Sequence, residues 1–310
     1  MRILVGTIYS GENEFSESVE AVKRQRYGVA EHLVIQGLPL QEAAHSLFAK
    51  FFSPAREFDL LVKVDADMVL AHEGIFEGIV SRFESDERLQ LLSIGVRDFY
   101  TDQIIGSLNA YRSTIEWVPD FDPLAPDRVT VPRDRRAYDH TSLAPAAWHC
   151  PNPSPLQAFH YGLHRGAKAY AAARRRDSRQ LRAQLGMFEK TWRHYRRKPD
   201  RRLVMAALGG EVGLTGRFGG QFVSYADPGV AEAFRTYEHH STEQLESEVR
   251  RFRRRSFGFL PDRWRLEVLR DGRLTLPLRL LVPYAIRRRA AKAATRTLRR
   301  VAAWTGLRGR

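Results

Sequence analysis

The first hundred residues alternate between short apolar runs and segments whose apolar positions recur every three or four residues. The short runs are rich in β-branched residues and bounded by glycine or polar residues, which predicts strands at ILVGTI (3–8), HLVIQG (32–37), FDLLVKV (58–64) and LQLLSIGV (89–96). The segments between them have helical spacing and predict helices at 15–22, 40–52 and 73–83. This alternation predicts βαβ units, and therefore an α/β domain with a mostly parallel sheet flanked by helices.

The pattern weakens from Arg97 to Pro155. This stretch is rich in proline and aspartate and contains two β-like pieces, RVTV and APAAWHC, within loops suited to carry a binding site. Helical spacing then resumes and predicts four helices, at 156–172, 181–195, 201–208 and 242–254. The predicted organisation is one α/β domain over residues 1–240, followed by a helical and strongly basic C-terminal region over residues 241–310.

Charge separates the chain into a nearly balanced first half and a basic second half. The 310 residues include 50 Lys and Arg against 36 Asp and Glu, with 43% apolar and 28% charged residues overall. These fractions predict a soluble globular protein, and the net charge of +14 predicts an acidic partner. Neither a run of eighteen apolar residues nor a signal-peptide core is found, which predicts a cytoplasmic protein, with peripheral attachment to the inner face of the plasma membrane as a further option.

The C-terminal region mixes leucines, a tryptophan and many arginines. This composition is typical of a helix that lies on an anionic membrane surface, where each basic residue contributes roughly 1 kcal/mol. A solvated basic tail is the alternative. Nucleic acid is the less favoured acidic partner, because the sequence contains no helix-turn-helix, zinc-finger or glycine-aromatic RNA-binding pattern.

Two carboxylates follow the third predicted strand directly, at Asp65 and Asp67. Ligands of open α/β sheets bind beyond the carboxyl ends of the strands, and residues two apart on an extended chain point the same way. Paired oxygen donors suit Mg²⁺ or Mn²⁺, which leave other coordination positions to water and substrate phosphate. The motif therefore predicts a divalent cation that holds a diphosphate. The alternative is an ordinary turn whose aspartates bind local amides.

At these residues the chain resembles the nucleotide-diphospho-sugar glycosyltransferases of GT-A fold, and most closely the large family-two type. The resemblance covers roughly residues 1 to 100 and rests on ILVGTI, SESVEAVKRQRY and the D-x-D of VKVDADMVL. It implies Thr7 and Tyr9 near the base or ribose of a nucleotide sugar, Asp65 near the ribose and metal, and Asp67 on a Mn²⁺ or Mg²⁺ ion. The implied acceptor is a hydroxyl, on a cell-envelope glycan or lipid.

Two departures from the family pattern bear on donor binding. The family ends its second strand with paired aspartates, whereas VIQGLP leaves Gln36 as the polar side chain available to contact the donor. The Q-x-x-R-W motif of processive synthases is missing, which favours transfer of a single sugar. Lys63 precedes Asp65 by two residues and could reach a phosphate, or it could extend its charge into solvent at a strand edge.

Three histidines cluster at the end of the loop region and in the helix predicted after it, and the family often adds a histidine as a further metal ligand. His149 is the first candidate because it ends a β-like piece before a proline-rich turn. His160 is the second, and His164 follows it by one helical turn; a hydrogen-bonded structural role is the alternative for each. Arg165 is suited to a diphosphate.

An inverting transferase also needs a general base, usually a carboxylate. Asp98 and Asp102, just after the fourth strand, are the candidates, and Asp120, Asp122 and Asp139 are rivals. A retaining mechanism needs no such base. The single cysteine, Cys150, is expected to be a buried packing residue.

Two other functions remain open. A nucleotidyltransferase acting on sugar phosphates also sets acids at a strand end against a diphosphate, but that class usually has a basic, glycine-rich loop after the first strand, and GTIYSGENEF contains no basic residue. The second alternative is a non-catalytic α/β protein that binds a membrane or nucleic acid.

Overall fold

The computed structural model describes residues 1–53, 55, 57–115, 117, 129–175, 177–219 and 224–256. The strands in this part of the chain are β1 (Ile3–Tyr9), β2 (Glu31–Gln36), β3 (Leu60–Lys63), β4 (Met68–Leu70), β5 (Leu91–Asp98), β6 (Gln103–Arg112), β7 (Arg136–Asp139) and β8 (Ala147–His149). The helices are α1 (Phe15–Lys23), α2 (Leu40–Phe51), α3 (Ile75–Ser85), α4 (Pro155–Arg174), α5 (Ser178–Arg197), α6 (Arg201–Leu214), α7 (Pro228–Glu238) and α8 (Thr242–Ser256), with a short 3-10 helix at Arg133–Arg135.

The eight strands form one sheet in the order β2-β1-β3-β6-β5-β8-β4, and β7 pairs with β5 beside this path. β1 runs parallel to β2 and β3, and β5 runs parallel to β7 and β8. β6 is antiparallel to β3 and β5, and β4 is antiparallel to β8. The predicted α/β class is confirmed, and the sheet is mixed because β6 reverses direction between two strands that point the same way.

Apolar residues cover both faces of the sheet, as alternation along a strand requires. On one face, Ile3 and Val5 of β1 pack in a cluster with residues of α1 and α3. On the other face, Leu4 and Ile8 pack with residues of α2. The first three helices thus hold the sheet from both sides, and their positions agree with the helical spacing of the sequence.

A second core lies among the helices after residue 155. Phe159 and Leu163 of α4 pack there with α6, and Tyr100 and Cys150 extend into the same cluster from the sheet side. Leu245 and Val249 of α8 belong to this cluster too. The helical half is therefore joined to the sheet by apolar contacts, and the first helix after residue 240 packs within it. The division of the chain at residue 240 stays a prediction.

The elements differ from their predictions mainly after residue 97. RVTV forms no strand at Val129–Val131, the described part of that piece, whereas APAAWHC contains β8. No helix in the described residues combines the length and apolar character needed to cross a bilayer. The basic segment 257–310, with its predicted membrane contact, lies outside the described residues.

Candidate functional site

A cleft of about 250 Å³ opens where β1 and β3 end, with one face of α4 forming its opposite wall. The sheet side and its loops contribute Ile8, Ser10, Glu12, Leu40, Ala44, Lys63, Asp65, Ala66, Asp67, Tyr100, Ser107, His149 and Cys150, with Tyr225 preceding α7. α4 contributes Gln157, His160, Tyr161, His164, Arg165 and Lys168. Their spacing of three and four residues places all six on one side of the helix. The cleft therefore lies where an open α/β sheet is expected to bind a ligand.

The acid pair lies in this cleft, within a turn rather than on extended chain. β3 ends at Lys63, and the amide of Met68 donates to the carbonyl of Asp65 at 2.8 Å, which closes a turn with Asp67 at its third position. The side chains of Asp65 and Asp67 are 37% and 19% exposed, and both line the cleft. The ammonium of Lys63 lies 2.5 Å from a carboxylate oxygen of Asp65. The turn thus gathers two carboxylates and a cation beside one cavity.

Asp67, His149 and Asp98 form a chain of contacts leading away from the cleft. His149 Nε2 lies 3.5 Å from Asp67 Oδ2, and His149 Nδ1 lies 2.7 Å from Asp98 Oδ1. Burial opposes protonation of His149, but the charge of Asp67 and the contact with Asp98 outweigh it and raise the pKa of His149 to about 9. Burial alone would raise the pKa of Asp98, but the hydrogen bond with His149, the charge of His149 and the hydrogen bonds from Thr101 together outweigh burial and lower it.

The sequence suggested Asp98 as a general base in the cleft, but the structure places its carboxylate behind His149, outside the residues that line the cleft. Its side chain is fully buried and also accepts hydrogen bonds from the amide and hydroxyl of Thr101. An acceptor hydroxyl in the cleft has no access to this carboxylate. Asp98 instead fixes the orientation of the His149 ring and leaves Nε2 directed at Asp67.

Cys150 completes a group of three donors. Its Sγ lies 3.1 Å from Asp67 Oδ2 and 3.8 Å from His149 Nε2. The predicted burial is found, since the residue is 1% exposed, and burial together with the charge of Asp67 raises the pKa of the thiol well above its ordinary value. Asp67 Oδ1 is buried without a hydrogen-bond partner in the described part of the chain. The Asp67 carboxylate thus has one oxygen close to a nitrogen and a sulfur atom and a second, buried oxygen without a partner among the described residues, an arrangement that fits a bound divalent cation.

α4 supplies cations and aromatic rings to the opposite wall. The guanidinium of Arg165 lies 5.1 Å from the ring of Tyr161, which stacks on Tyr100 at 3.8 Å. His160 stacks on Tyr225 at 3.9 Å. Burial lowers the pKa of His164 well below its ordinary value, with the charge of Lys168 acting in the same direction. The wall that faces the acid pair is therefore positively charged through Arg165 and Lys168.

The loop after β1 brings two glutamates that the sequence reading did not single out. Glu12 lines the cleft and accepts hydrogen bonds from the amides of Ser10 and Gly11 at 2.7 and 3.1 Å. Burial raises the pKa of Glu12 to about 7, with a further contribution from Asp67. Glu14 is 1% exposed and accepts from Gln157 Nε2 at 2.8 Å, which ties the loop to α4.

Several predicted site residues do not line the cleft. Thr7 is buried with its hydroxyl 3.0 Å from His32, and Tyr9 stacks on Phe15 at 4.1 Å. Gln36 is exposed at the end of β2. Asp102, in the turn between β5 and β6, pairs with Arg97 and Arg197 and does not line the cleft.

The rival base Asp139 is buried and bound to Arg82 and to the amides of residues 141–143. Its hydrogen bonds give it a structural role in holding this turn. Asp120 and Asp122 lie outside the described residues.

A scan against protein-family profiles and a search of curated proteins found no match to this sequence. Solved structures gave matches at low identity. A mannosyltransferase from Pyrobaculum calidifontis in complex with GDP-Man and Mn²⁺ is 11% identical, with 81% of this chain and 80% of that chain covered and a TM-score of 0.31. The S. aureus TarS fragment 1-349 is 11% identical, with 82% and 92% covered and a TM-score of 0.31.

Two further matches cover less of both chains. A glycosyltransferase involved in the glycosylation of the major capsid of PBCV-1 is 10% identical, with 36% of this chain and 60% of that chain covered and a TM-score of 0.28. The match to A197 from STIV spans 65% of that protein's length, at 11% identity and a TM-score of 0.28. Glycosyltransferases are thus among the structural neighbours, and at scores this low the functional argument rests on the residues of the cleft.

Proposed function

We propose that this protein is a metal-dependent glycosyltransferase of GT-A type that transfers a single sugar from a nucleotide-diphosphate donor to a hydroxyl acceptor. The observation that carries the proposal is the meeting of the Asp65 and Asp67 carboxylates, an oriented histidine and the cations of α4 around one cleft. Such a group is suited to a ligand that carries both phosphate charge and a metal ion.

Asp67 and His149 would hold the metal, with Asp65 beside them. When bound, a divalent cation supplies Lewis-acid stabilisation of the charge that develops on a diphosphate leaving group. Asp98 supports this arrangement because it binds His149 Nδ1 and so leaves Nε2 directed at the cleft, where it would bind the metal after releasing its proton.

Lys63, Arg165 and Lys168 would bind the phosphate oxygens from the two sides of the cleft. The planar guanidinium of Arg165 suits bidentate contact with phosphate, and the ammonium groups act as point charges. Tyr161 and Tyr100 stack behind Arg165 and restrict its movement. These residues would bind the donor before transfer and hold the diphosphate afterwards.

Glu12 is the candidate general base for an inverting reaction. Among the described residues that line the cleft, it is the carboxylate outside the acid pair. A pKa of about 7 allows it to accept a proton from an acceptor hydroxyl near neutral pH. In this proposal Glu12 takes the role that the sequence suggested for Asp98 or Asp102.

A thermal-shift screen tests the proposal. Nucleoside diphosphates and nucleotide sugars of each base are added to the full-length protein with and without Mn²⁺. A ligand that binds only the folded state at about 100 times its Kd adds about 2.7 kcal/mol of stability and raises the Tm. We expect one diphosphate to stabilise the protein in the presence of metal and Asp67→Asn to abolish this shift.

Asp134→Asn is the matched control, because Asp134 is an exposed acid paired with Arg88 and does not line the cleft. It should keep the full shift. A shift by nucleoside triphosphate together with sugar phosphate, and not by diphosphates, would favour a nucleotidyltransferase. No shift with any nucleotide would leave the non-catalytic α/β protein as the better description.

A further inference from the structure

We propose that Cys150 is a third protein ligand of the metal in this cleft, beside Asp67 and His149, so that the site prefers a thiophilic ion such as Zn²⁺ or Co²⁺ over Mg²⁺. The inference rests on the proposed function only in that it concerns the same cleft. It changes the expected metal from Mg²⁺ or Mn²⁺ to a thiophilic ion. The D-x-D motif alone predicted Mg²⁺ or Mn²⁺ from its oxygen donors, whereas a thiolate does not suit Mg²⁺.

The three donor atoms have the mutual distances of a metal site. Asp67 Oδ2, His149 Nε2 and Cys150 Sγ are separated by 3.1, 3.5 and 3.8 Å. An ion bound tetrahedrally at about 2.0 to 2.3 Å keeps its ligand atoms roughly 3.3 to 3.6 Å apart. Two of the three separations lie about 0.2 Å outside this range, 3.1 Å below it and 3.8 Å above it, so small side-chain rotations would bring the three atoms to metal-binding spacing.

The backbone of Cys150 has the conformation that brings its side chain to the site. Neighbouring residues of a strand point to opposite faces, so a cysteine that continued β8 in extended form would face away from the His149 ring. Cys150 instead has a φ of +50°, a left-handed conformation that is unfavourable for a residue with a Cβ. Its amide donates to the carbonyl of Asp67 at 2.7 Å. Unfavourable backbone of this kind concentrates at functional sites.

The surroundings also fit a coordinated metal. Metal-binding histidines usually donate their second ring nitrogen to a carboxylate, and Asp98 occupies that place behind His149. The other oxygen of the same carboxylate, Asp67 Oδ1, is buried without a hydrogen-bond partner in the described residues, so a metal bound at Oδ2 would also offset the negative charge that is buried there. On coordination the S–H bond of Cys150 is replaced by a sulfur–metal bond and the Nε2–H bond of His149 by a nitrogen–metal bond, and both protons are released to solvent.

Cobalt spectroscopy tests the inference directly, because the chain contains one cysteine. The metal-free, reduced full-length protein is titrated with Co²⁺ while near-ultraviolet absorption is recorded. We expect a sulfur-to-cobalt charge-transfer band that saturates at one ion per chain. Excess Zn²⁺ should remove the band, and excess Mg²⁺ should not.

Two variants test whether the band comes from Cys150, one that removes the sulfur and one that serves as a surface control. Cys150→Ser should abolish the band and weaken Co²⁺ binding by about 10-fold or more, measured by calorimetry. Asp134→Asn, on the exposed surface, should keep the wild-type band and affinity. Because only Cys150 can give the band, the wild-type spectrum alone decides the point if Cys150→Ser fails to fold.

Co²⁺ binding without a charge-transfer band would overturn Cys150 as a ligand, and so would the absence of any Co²⁺ binding. The two proposals fail separately. A thiolate band in a protein that no nucleotide stabilises would keep the metal site and reject the glycosyltransferase. A metal-dependent shift by a diphosphate without a thiolate band would keep the glycosyltransferase and reject the cysteine ligand.

Discussion

At the scale of single residues, the contact between Asp98 and His149 decides how the cleft presents its nitrogen donor. Asp98 Oδ1 binds Nδ1, and Asp98 Oδ2 accepts two hydrogen bonds from Thr101. A neutral amide at this position would keep the size of the side chain but lose the charge that fixes the ring. The role of Asp98 is therefore one of positioning, since it acts on the cleft through His149.

We expect Asp98→Asn to weaken Co²⁺ or Mn²⁺ binding by about 10- to 100-fold, because partners of metal-bound histidines typically have effects of this size. Titration calorimetry on the metal-free protein measures the change. Asp139→Asn is the control, as it replaces a second buried carboxylate that does not line the cleft. It should lower the Tm and leave metal affinity unchanged. Equal metal affinity in wild type and Asp98→Asn would contradict the positioning role.

Sequence reasoning found the acid pair but not the contact that supports it. Asp65 and Asp67 could be identified because a local pattern, an apolar strand that ends in two acids, determines where they lie. The partnership of Asp98 with His149 depends on the pairing of β5 with β8, which joins residues 51 positions apart in the chain. No local pattern specifies that register. Cys150 was predicted to be packing for a similar reason, since its left-handed backbone is not visible in composition.

At the scale of elements, the packing of α4 on α6 holds the cationic wall of the cleft in place. Glycines let the two helices approach closely. A Cβ added at Gly162 would overlap the carbonyl of Ala206, and one added at Gly209 would overlap the carbonyl of Phe159. Both obstacles are backbone atoms, so a larger residue would force the helices apart rather than displace a side chain.

Gly209→Ala should therefore destabilise the protein by about 1 to 3 kcal/mol, the usual cost of overpacking. Gly186 in α5 offers a matched control, because an added Cβ there meets nothing within 4 Å. Gly186→Ala should stabilise the protein by roughly 0.5 to 1 kcal/mol through helix propensity. Urea unfolding followed by circular dichroism measures both values. A neutral Gly209→Ala would show that the two helices can separate without cost.

The predicted elements were most accurate where one face of each is buried. α1 to α6 and β1, β2, β3 and β5 all overlap a residue range that apolar periodicity predicted, although their ends differ, most of all for α6, which continues to Leu214 instead of ending at Leu208. β6 was missed because its first half, QIIGS, is exposed at its first, second and fourth residues and follows no alternating apolar pattern. α7 was missed because its helix buries few residues, Val230 and Ala233. The cleft face of α4 was readable in principle, since its polar residues recur at helical spacing opposite the glycines.

At the scale of the whole molecule, positive charge is concentrated on α5 within the part of the chain that the structure describes. α5 carries Lys190, Arg193, Arg196 and Arg197, which line a second cleft together with Thr101 and Gln103. This helix lies in the basic second half of the sequence. Lowering the pH removes carboxylate charge from a chain whose net charge is already +14, so repulsion among these cations should then grow.

Acid should therefore unfold the protein, and Asp139 should carry an identifiable part of the effect. Burial alone would raise the pKa of Asp139, but hydrogen bonds from Ser142, from nearby amides and from Arg82 outweigh it and lower it. A folded-state pKa below the ordinary value of about 3.9 means that the folded state binds fewer protons. The stability that Asp139 provides is then complete above that value and is lost as the pH falls through the folded-state pKa.

Asp139→Asn removes this titration together with the ion pair to Arg82. We expect the variant to be less stable than wild type at pH 7, and the difference between the two to shrink as the pH falls below about 4. Urea unfolding at a series of pH values, on protein kept free of metal, gives both curves. If the difference in free energy of unfolding stayed constant across that range, Asp139 would stabilise the turn through its shape and hydrogen bonds alone. The loss of stability in acid would then come from other carboxylates, such as Asp98 or Asp200.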